Sequence, residues 1–343
     1  MLDRPRYSIV MPKISLSAAI SSSALELALF GRDDVDPRLS AHAVPLSREA
    51  CPPNTRRTYL EGVTCFENWA RSYGFEAVPA SGETIALFMA DNAQRLKLST
   101  MKTRIAAVSV AHQKLGLPCG RSNYVVREMA RAIARVYGNR PQGKDPMRLS
   151  VLRELIRTIR NQDNLARALR DAALFLLQYA AALRSAEMDF CVEHIEFTDF
   201  GLELTLVKSK TDPQRWGHVL TIARGAHRET CPVRALKRWL EYSGITDGPI
   251  FRGIHRSGVI LPSAISTRSI IAILKGYLEK MGLNDGTYGT HSLRSGPLTT
   301  GFEKGLSDAE LMVLSRHITE QNLMAYLRKA NLAKRNLTAA IGM

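Results

Sequence analysis

The chain has 343 residues, long for one domain, and a hydrophobic content of 45% is enough to bury extensive cores. Lys and Arg number 47 against 32 Asp and Glu, a net charge of +15 that calls for an acidic partner such as nucleic acid or an anionic membrane surface. The longest apolar stretch, AALFLLQYAAAL at 172–183, is too short to span a bilayer and contains Gln178, and five scattered cysteines without a C-x-x-C pair fit neither a disulfide framework nor a zinc ribbon, so a reducing cytoplasm is expected.

Residues 1–44 carry Arg4, Arg6 and Lys13 ahead of a Ser-rich run, but interspersed acids and Pro12 argue for a poorly ordered extension and not a transit or secretory signal. From Asn54 the pattern turns helical, with Tyr59, Val63, Phe66 and Trp69/Ala70 on one stripe closing at Gly74. A second helix opens at the capping candidate Ser81, a third runs from Ser99 to Gly116, and a fourth, NYVVREMARAIARVYG, stacks Arg127, Arg131 and Arg135 opposite an apolar face. Over 41–145 there are 15 Lys and Arg against 8 Asp and Glu, so this all-α unit, taken as residues 45–138, carries much of the excess charge. Arg56, Arg57, Lys102 and Arg104 fall in or near first turns, where helix N-termini also favour phosphate, and with Arg131 they are the expected contacts to a duplex backbone. NRPQGKDP, 139–146, reads as a linker.

Residues 147–343 begin with helices around 149–160 and 164–183. The period then changes: HIEFTDFGLELTLVKSK and GHVLTIARG alternate as a small antiparallel sheet, and helices are expected from CPVRALKRWLEYSG onward to the end. The fold class is therefore mainly α with a small antiparallel β-sheet, a helical unit followed by an α+β unit.

Near the C-terminus, YGTHSLRSGP sets His291 and Arg294 one helical turn apart, two donors suited to one anion, and guanidinium matches phosphate best. Four residues so loosely spaced decide nothing alone. Their company does: Arg184 in AALRSAEM with Glu187 three residues on, Lys210 in KSKTD at a hairpin tip, then His291 and Arg294, His317 in LSRHITE, and Tyr326 in LMAYLRKA.

This ordered set resembles the tyrosine recombinase (phage integrase) family, and the basic helical unit followed by a mixed one looks most like its Cre-type members. The resemblance implies a DNA-binding (core-binding) domain at 45–138 and a catalytic domain at 147–343. It also implies that Tyr326 is the nucleophile toward a DNA phosphodiester, and that Arg184, His291, Arg294 and His317 surround the non-bridging oxygens. Lys210 would protonate the leaving 5′-oxygen, with Glu187 orienting the basic cluster. The chemistry agrees: preorganised donors stabilise charge on phosphate oxygens, and a neutral His291 can take the proton of a phenol whose ordinary pKa is about 10. No metal or other cofactor is expected, since arginines supply the positive charge. The expected partner is double-stranded DNA with paired recombination sites, engaged by a homotetramer formed from free monomers through the apolar C-terminal helix, with strands exchanged through a Holliday junction. Type IB topoisomerase-like relaxation, or a catalytically silent DNA-binding regulator, are the alternatives. Two positions depart from the family pattern: Pro297, within the helix of Arg294, and Arg316, where the family usually has glycine.

Overall fold

The computed structural model describes residues 51–138, 143–207, 217–283, 286–316, 319–321, 323, 324 and 327. The chain divides between 141 and 142 into two compact units.

The first unit is helical. α1 (Pro53–Ser72), α2 (Gly82–Asn92), α3 (Leu98–Leu115) and α4 (Tyr124–Tyr137) pack through Val63 and Phe66 of α1, Ile85, Phe88 and Met89 of α2, Met101, Ile105 and Val108 of α3, and Val126 and Ile133 of α4. Local chemistry starts these helices: α1 has proline in its first turn, α2 is capped by Ser81 Oγ accepting from the Thr84 N–H at 3.0 Å, and α4 by Asn123. The unit also buries polar residues, Thr84, Asn92 and His112. His112, fully buried on α3, accepts from the Ala80 N–H through Nε2 at 2.7 Å and contacts the Val108 carbonyl through Nδ1 at 2.7 Å. Those bonds satisfy the neutral imidazole with its proton on Nδ1, and burial lowers its pKa.

The second unit is built around α6 (Leu165–Ala180), buried from Arg170 to Tyr179 and largely apolar all round, as a central helix must be, with Arg170, Asp171 and Gln178 as its buried polar positions. α5 (Leu149–Arg160) and α7 (Pro232–Ser243) pack on it, and α7 inserts Trp239, fully buried, whose Nε1 donates to the Ile250 carbonyl at 2.8 Å. Truncating such a side chain to alanine costs about 3–5 kcal/mol. Between α6 and α7 lies the antiparallel sheet β1 (Ile195–Phe197), β2 (Gly201–Leu206) and β3 (His218–Ala223), ordered β1-β2-β3, with Leu204 opposite both Ile195 and Leu220. Burial along β2 alternates as its sequence does, and a turn at Thr198–Phe200 splits the first predicted strand in two.

The expectation of helices only after α7 needs correction. β4 (Arg252–Ile254) and β5 (Ile260–Ala264) form a second, two-stranded antiparallel sheet. Its strands are short, shift register between Arg252 and Ile254, and lack clean alternation, so periodicity did not reveal them. A buried polar network holds the hairpin in place. Arg170 of α6 donates to the Arg252 carbonyl at 3.2 Å and pairs with Asp171 at 2.7 Å; Asp171 accepts from Tyr277 Oη at 2.8 Å, and that hydroxyl accepts from Gln162 at 2.6 Å. Tyr277 lies on α8 (Thr267–Lys280), which leads to α9 (Thr290–Glu303) and α10 (Asp308–Ser315). α9 runs through Pro297 without ending there. Leu298 and Phe302 of α9, Leu311 of α10, and Leu323 and Leu327 beyond it form a small separate core.

Candidate active site

α6 ends on a strained turn. Ala182 has φ +47°, a left-handed conformation that costs a residue with a side chain about 1–2 kcal/mol. It lets the Leu183 N–H close back on the Gln178 carbonyl at 2.9 Å, capping the helix and releasing Arg184 into a short 3₁₀ turn. Glu187, at the end of that turn, folds back: Oε2 accepts from the Arg184 backbone N–H at 2.8 Å and Oε1 from Arg184 Nη1 at 2.8 Å. The three-residue spacing of Arg184 and Glu187 is thus the spacing of a self-capped turn that orients its own guanidinium.

α9 supplies the next pair. Its start is tied to the segment before α5, the Met147 N–H donating to the Ser292 carbonyl at 3.0 Å. Gly296 permits this approach, because a Cβ there would lie 2.1 Å from the Met147 carbonyl oxygen and 2.7 Å from Tyr179 Cε2. His291, on the first turn, keeps part of its surface open to solvent, whereas Arg294, one turn on, is fully buried. Its Nη1 donates to the Ala182 carbonyl and its Nη2 to the Ser315 carbonyl. Arg294 therefore bolts the end of α6 to the end of α10.

α10 ends on the second left-handed residue. Arg316 has φ +55° and ψ +40° at the C-cap, and it and Ala182 are the non-glycine residues of positive φ among those described. Its side chain turns inward and is 4% exposed. Nη1 donates to the Ala181 carbonyl at 3.2 Å, and Nη2 donates to Glu187 Oε2 at 2.9 Å. Strained backbone of this kind persists only where surrounding contacts hold it, and it gathers at functional sites.

The charges follow the contacts. Burial pushes the Glu187 carboxyl up, but the Arg184 N–H and the guanidinium charges of Arg316 and Arg184 outweigh it and hold the pKa below the usual range. His291 is shifted down, first by loss of solvent around the ring and then by the positive charges of Arg294 and Arg184. Its imidazole is consequently neutral at neutral pH, poised to accept a proton beside fixed cations.

Of the residues expected at the site, Arg184, Glu187, His291 and Arg294 come together, while Lys210, His317 and Tyr326 lie outside the described residues, as do the extension before residue 51 and the C-terminal tail after 327. Sequence reasoning missed the inward path of Arg316 and its bond to Glu187; the available signal was a bulky residue at a helix C-cap where glycine is usual. Among the basic residues singled out in the first unit, Arg56 and Arg57 stand in the first turn of α1, and Arg57, Lys102 and Arg131 are exposed. Arg104 is half-buried and donates to Cys65 Sγ at 2.9 Å, a bond that ties α3 to α1.

A helical unit followed by an α+β unit with an Arg-turn-Glu and an H-x-x-R helix meeting at its core has the fold of site-specific recombinases. The structure is similar to XerH site-specific recombinase bound to palindromic difH substrate in a post-cleavage complex, with TM-score 0.66 at 15% identity over 95% of this chain and 85% of that one. It is also similar to a lambda integrase tetramer bound to a Holliday junction, with TM-score 0.53 at 14% identity over 84% and 75% of the two chains. No protein-family model matches. In sequence the chain is 32% identical over 304 residues to an integrase/recombinase xerD homolog of Selenomonas ruminantium, covering 87% of this chain and 88% of that protein. The chain belongs to the tyrosine recombinase family and is a tyrosine site-specific recombinase.

Proposed function

We propose that the protein cleaves and rejoins duplex DNA through a 3′-phosphotyrosyl intermediate on Tyr326 and exchanges strands through a Holliday junction, without a metal ion or ATP. Tyr326 Oη attacks the scissile phosphorus and gives its proton to neutral His291. The bond from phosphorus to the 5′-oxygen breaks, and Lys210 protonates the departing oxygen. Arg184, Arg294 and His317 stabilise the charge that builds on the non-bridging oxygens, where one well-placed donor contributes about 10²- to 10³-fold. Since one phosphoester replaces another, the bond energy is kept, and a 5′-hydroxyl from a second strand reverses the sequence to complete the exchange. Arg294 is buried in the free chain; for it to touch phosphate, its carbonyl partners must give way when DNA binds.

The basic α1–α4 unit holds duplex phosphates through Arg56, Arg57, Lys102 and Arg131, with Arg104 in a supporting place. Assembly is a homotetramer on two paired sites, built from monomers linked by the C-terminal tail.

The observation that carries this reading is the placement of His291 beside Arg184 and Arg294, whose charges add to burial in favouring its neutral form, with each guanidinium fixed by hydrogen bonds. The test is covalent capture. Purified protein is incubated with nicked genomic fragments, protein-linked DNA is recovered, and the attachment points are sequenced. Wild type should yield a defined site, and Tyr326→Phe should yield nothing. Failure by wild type as well leaves a DNA-binding regulator, while attachment without sequence preference, with relaxation of arbitrary plasmid, indicates a topoisomerase.

A further inference from the structure

We propose that Arg316 is a positioning residue for strand cleavage: by holding one oxygen of Glu187, it fixes the carboxylate whose other oxygen sets the Arg184 guanidinium. The inference rests on the reading of Arg184 as a phosphate donor.

Three observations converge. Arg316 keeps a left-handed backbone that glycine would adopt without strain, so something about its side chain offsets that strain. That side chain is buried and already engaged, donating to the carbonyls of Ala181 and Leu314 and to Glu187 Oε2. Glu187 in turn divides its oxygens. Oε2 receives the Arg184 backbone N–H and Arg316, while Oε1 receives the Arg184 side chain.

A carboxylate oxygen held by a buried, charged guanidinium N–H resists rotation about the terminal bond, and the direction of the second oxygen is restrained with it. Without Arg316, that rotation loses one of its restraints. Glu187 would keep the Arg184 N–H on Oε2 but lose the buried charge that ties it to the C-terminal segment, and the guanidinium would rest on a looser support. Arg316 also ends α10 next to His317 in the chain, so the residue that sets the carboxylate belongs to the segment leading to the rest of the proposed catalytic set. A pairing across 129 residues thereby joins the Arg184 turn to the C-terminal segment.

The experiment uses full-length protein and the nicked duplex recovered by covalent capture, with DNA affinity and single-turnover cleavage measured separately for wild type, Arg316→Gly, Arg316→Lys, Glu187→Gln and the Glu187→Gln/Arg316→Gly double variant. Arg316→Gly should bind DNA as wild type does but cleave about tenfold or more slowly, because a misplacement on the order of 1 Å at a reacting centre costs on the order of a hundredfold. Arg316→Lys, which keeps a charge beside Glu187, should recover most of that loss. The double variant should be no slower than Glu187→Gln alone, since both changes break the same support. Wild-type cleavage by Arg316→Gly, additive losses in the double variant, or a lysine variant as slow as the glycine one overturns the proposal. If Arg316→Gly does not fold, as judged by its melting transition, the lysine variant against Glu187→Gln decides on the same criteria. Absence of cleavage by wild type itself overturns the recombination chemistry, and this inference with it, a result distinct from all the others.

Discussion

Arg184 and Arg316 are held by the two oxygens of one carboxylate, Glu187 Oε1 at 2.8 Å and Oε2 at 2.9 Å, although they lie on turns at opposite ends of the second unit's sequence. Both Glu187 and Arg316 are buried, so neither charge has water to fall back on. Removing the carboxylate leaves Arg316 without its ionic partner in the interior, and breaking a buried pair from one side costs about 3–5 kcal/mol. Glu187→Ala should lower the unfolding free energy of the second unit by that amount, read from urea denaturation. A loss below 1 kcal/mol would show that the interior is wet enough to solvate the guanidinium.

His291 should titrate below the ordinary histidine value of about 6.5. Burial and the cations Arg294 and Arg184 all disfavour its protonated form, so the direction is unambiguous. Nuclear magnetic resonance of its ring protons against pH measures this directly. Arg184→Gln, by removing one cation, should move the midpoint upward, and a wild-type midpoint at or above 6.5 contradicts the electrostatic account.

The first unit should weaken in acid through His112. Its folded pKa lies below the unfolded one, so the neutral form is favoured by folding. The unfolded chain takes up the proton first, and stability is lost as pH falls below about 6.5 toward the folded value. Denaturation of wild type and His112→Gln at pH 7 and pH 5 checks this: the wild type should show the steeper fall, and equal slopes would remove His112 as the cause.

Two glycines should respond in opposite directions to the same change. At Gly296 the added methyl meets the Met147 carbonyl oxygen, and Gly296→Ala should destabilise by about 1–3 kcal/mol or more and slow cleavage by moving α9. At Gly276, within α8 and with open space around its Cα, Gly276→Ala should stabilise by about 0.5–1 kcal/mol. Thermal melts of the two variants distinguish a packing requirement from a mere lack of helix propensity.

DNA binding should separate the basic residues of the first unit. Arg57→Ala and Lys102→Ala should each weaken binding similarly across sequences and reduce the slope of log affinity against log salt by roughly 1. Arg104→Ala should instead lower thermal stability, because that guanidinium is already engaged with Cys65 across α1 and α3. Fluorescence anisotropy at several salt concentrations separates the two outcomes.

Much of this was legible in the sequence because it is periodic or local. The α1–α4 stripes, the Ser81 cap, the alternation of β2 and the helical spacing of His291 and Arg294 depend on near neighbours, and the structure has them. The β4–β5 hairpin was not legible, since what holds it is Arg170 reaching from α6 to the Arg252 carbonyl, a contact that no window along the chain contains. The burial of Arg294, expected as a phosphate donor, was not legible either, because its carbonyl partners at Ala182 and Ser315 come from helix ends far away in sequence. Arg316 was visible only as an oddity. The carboxylate that explains it lies 129 residues earlier.

The shared carboxylate also bears on how this protein tolerates change. In this chain the two positions are coupled, since an arginine buried at 316 without the glutamate is worse than losing both to a neutral, well-packed pair. In a library randomised at both positions, clones that keep Arg316 should also keep a carboxylate at 187. A designer transplanting this recombinase's chemistry into another scaffold has to carry the two residues across together.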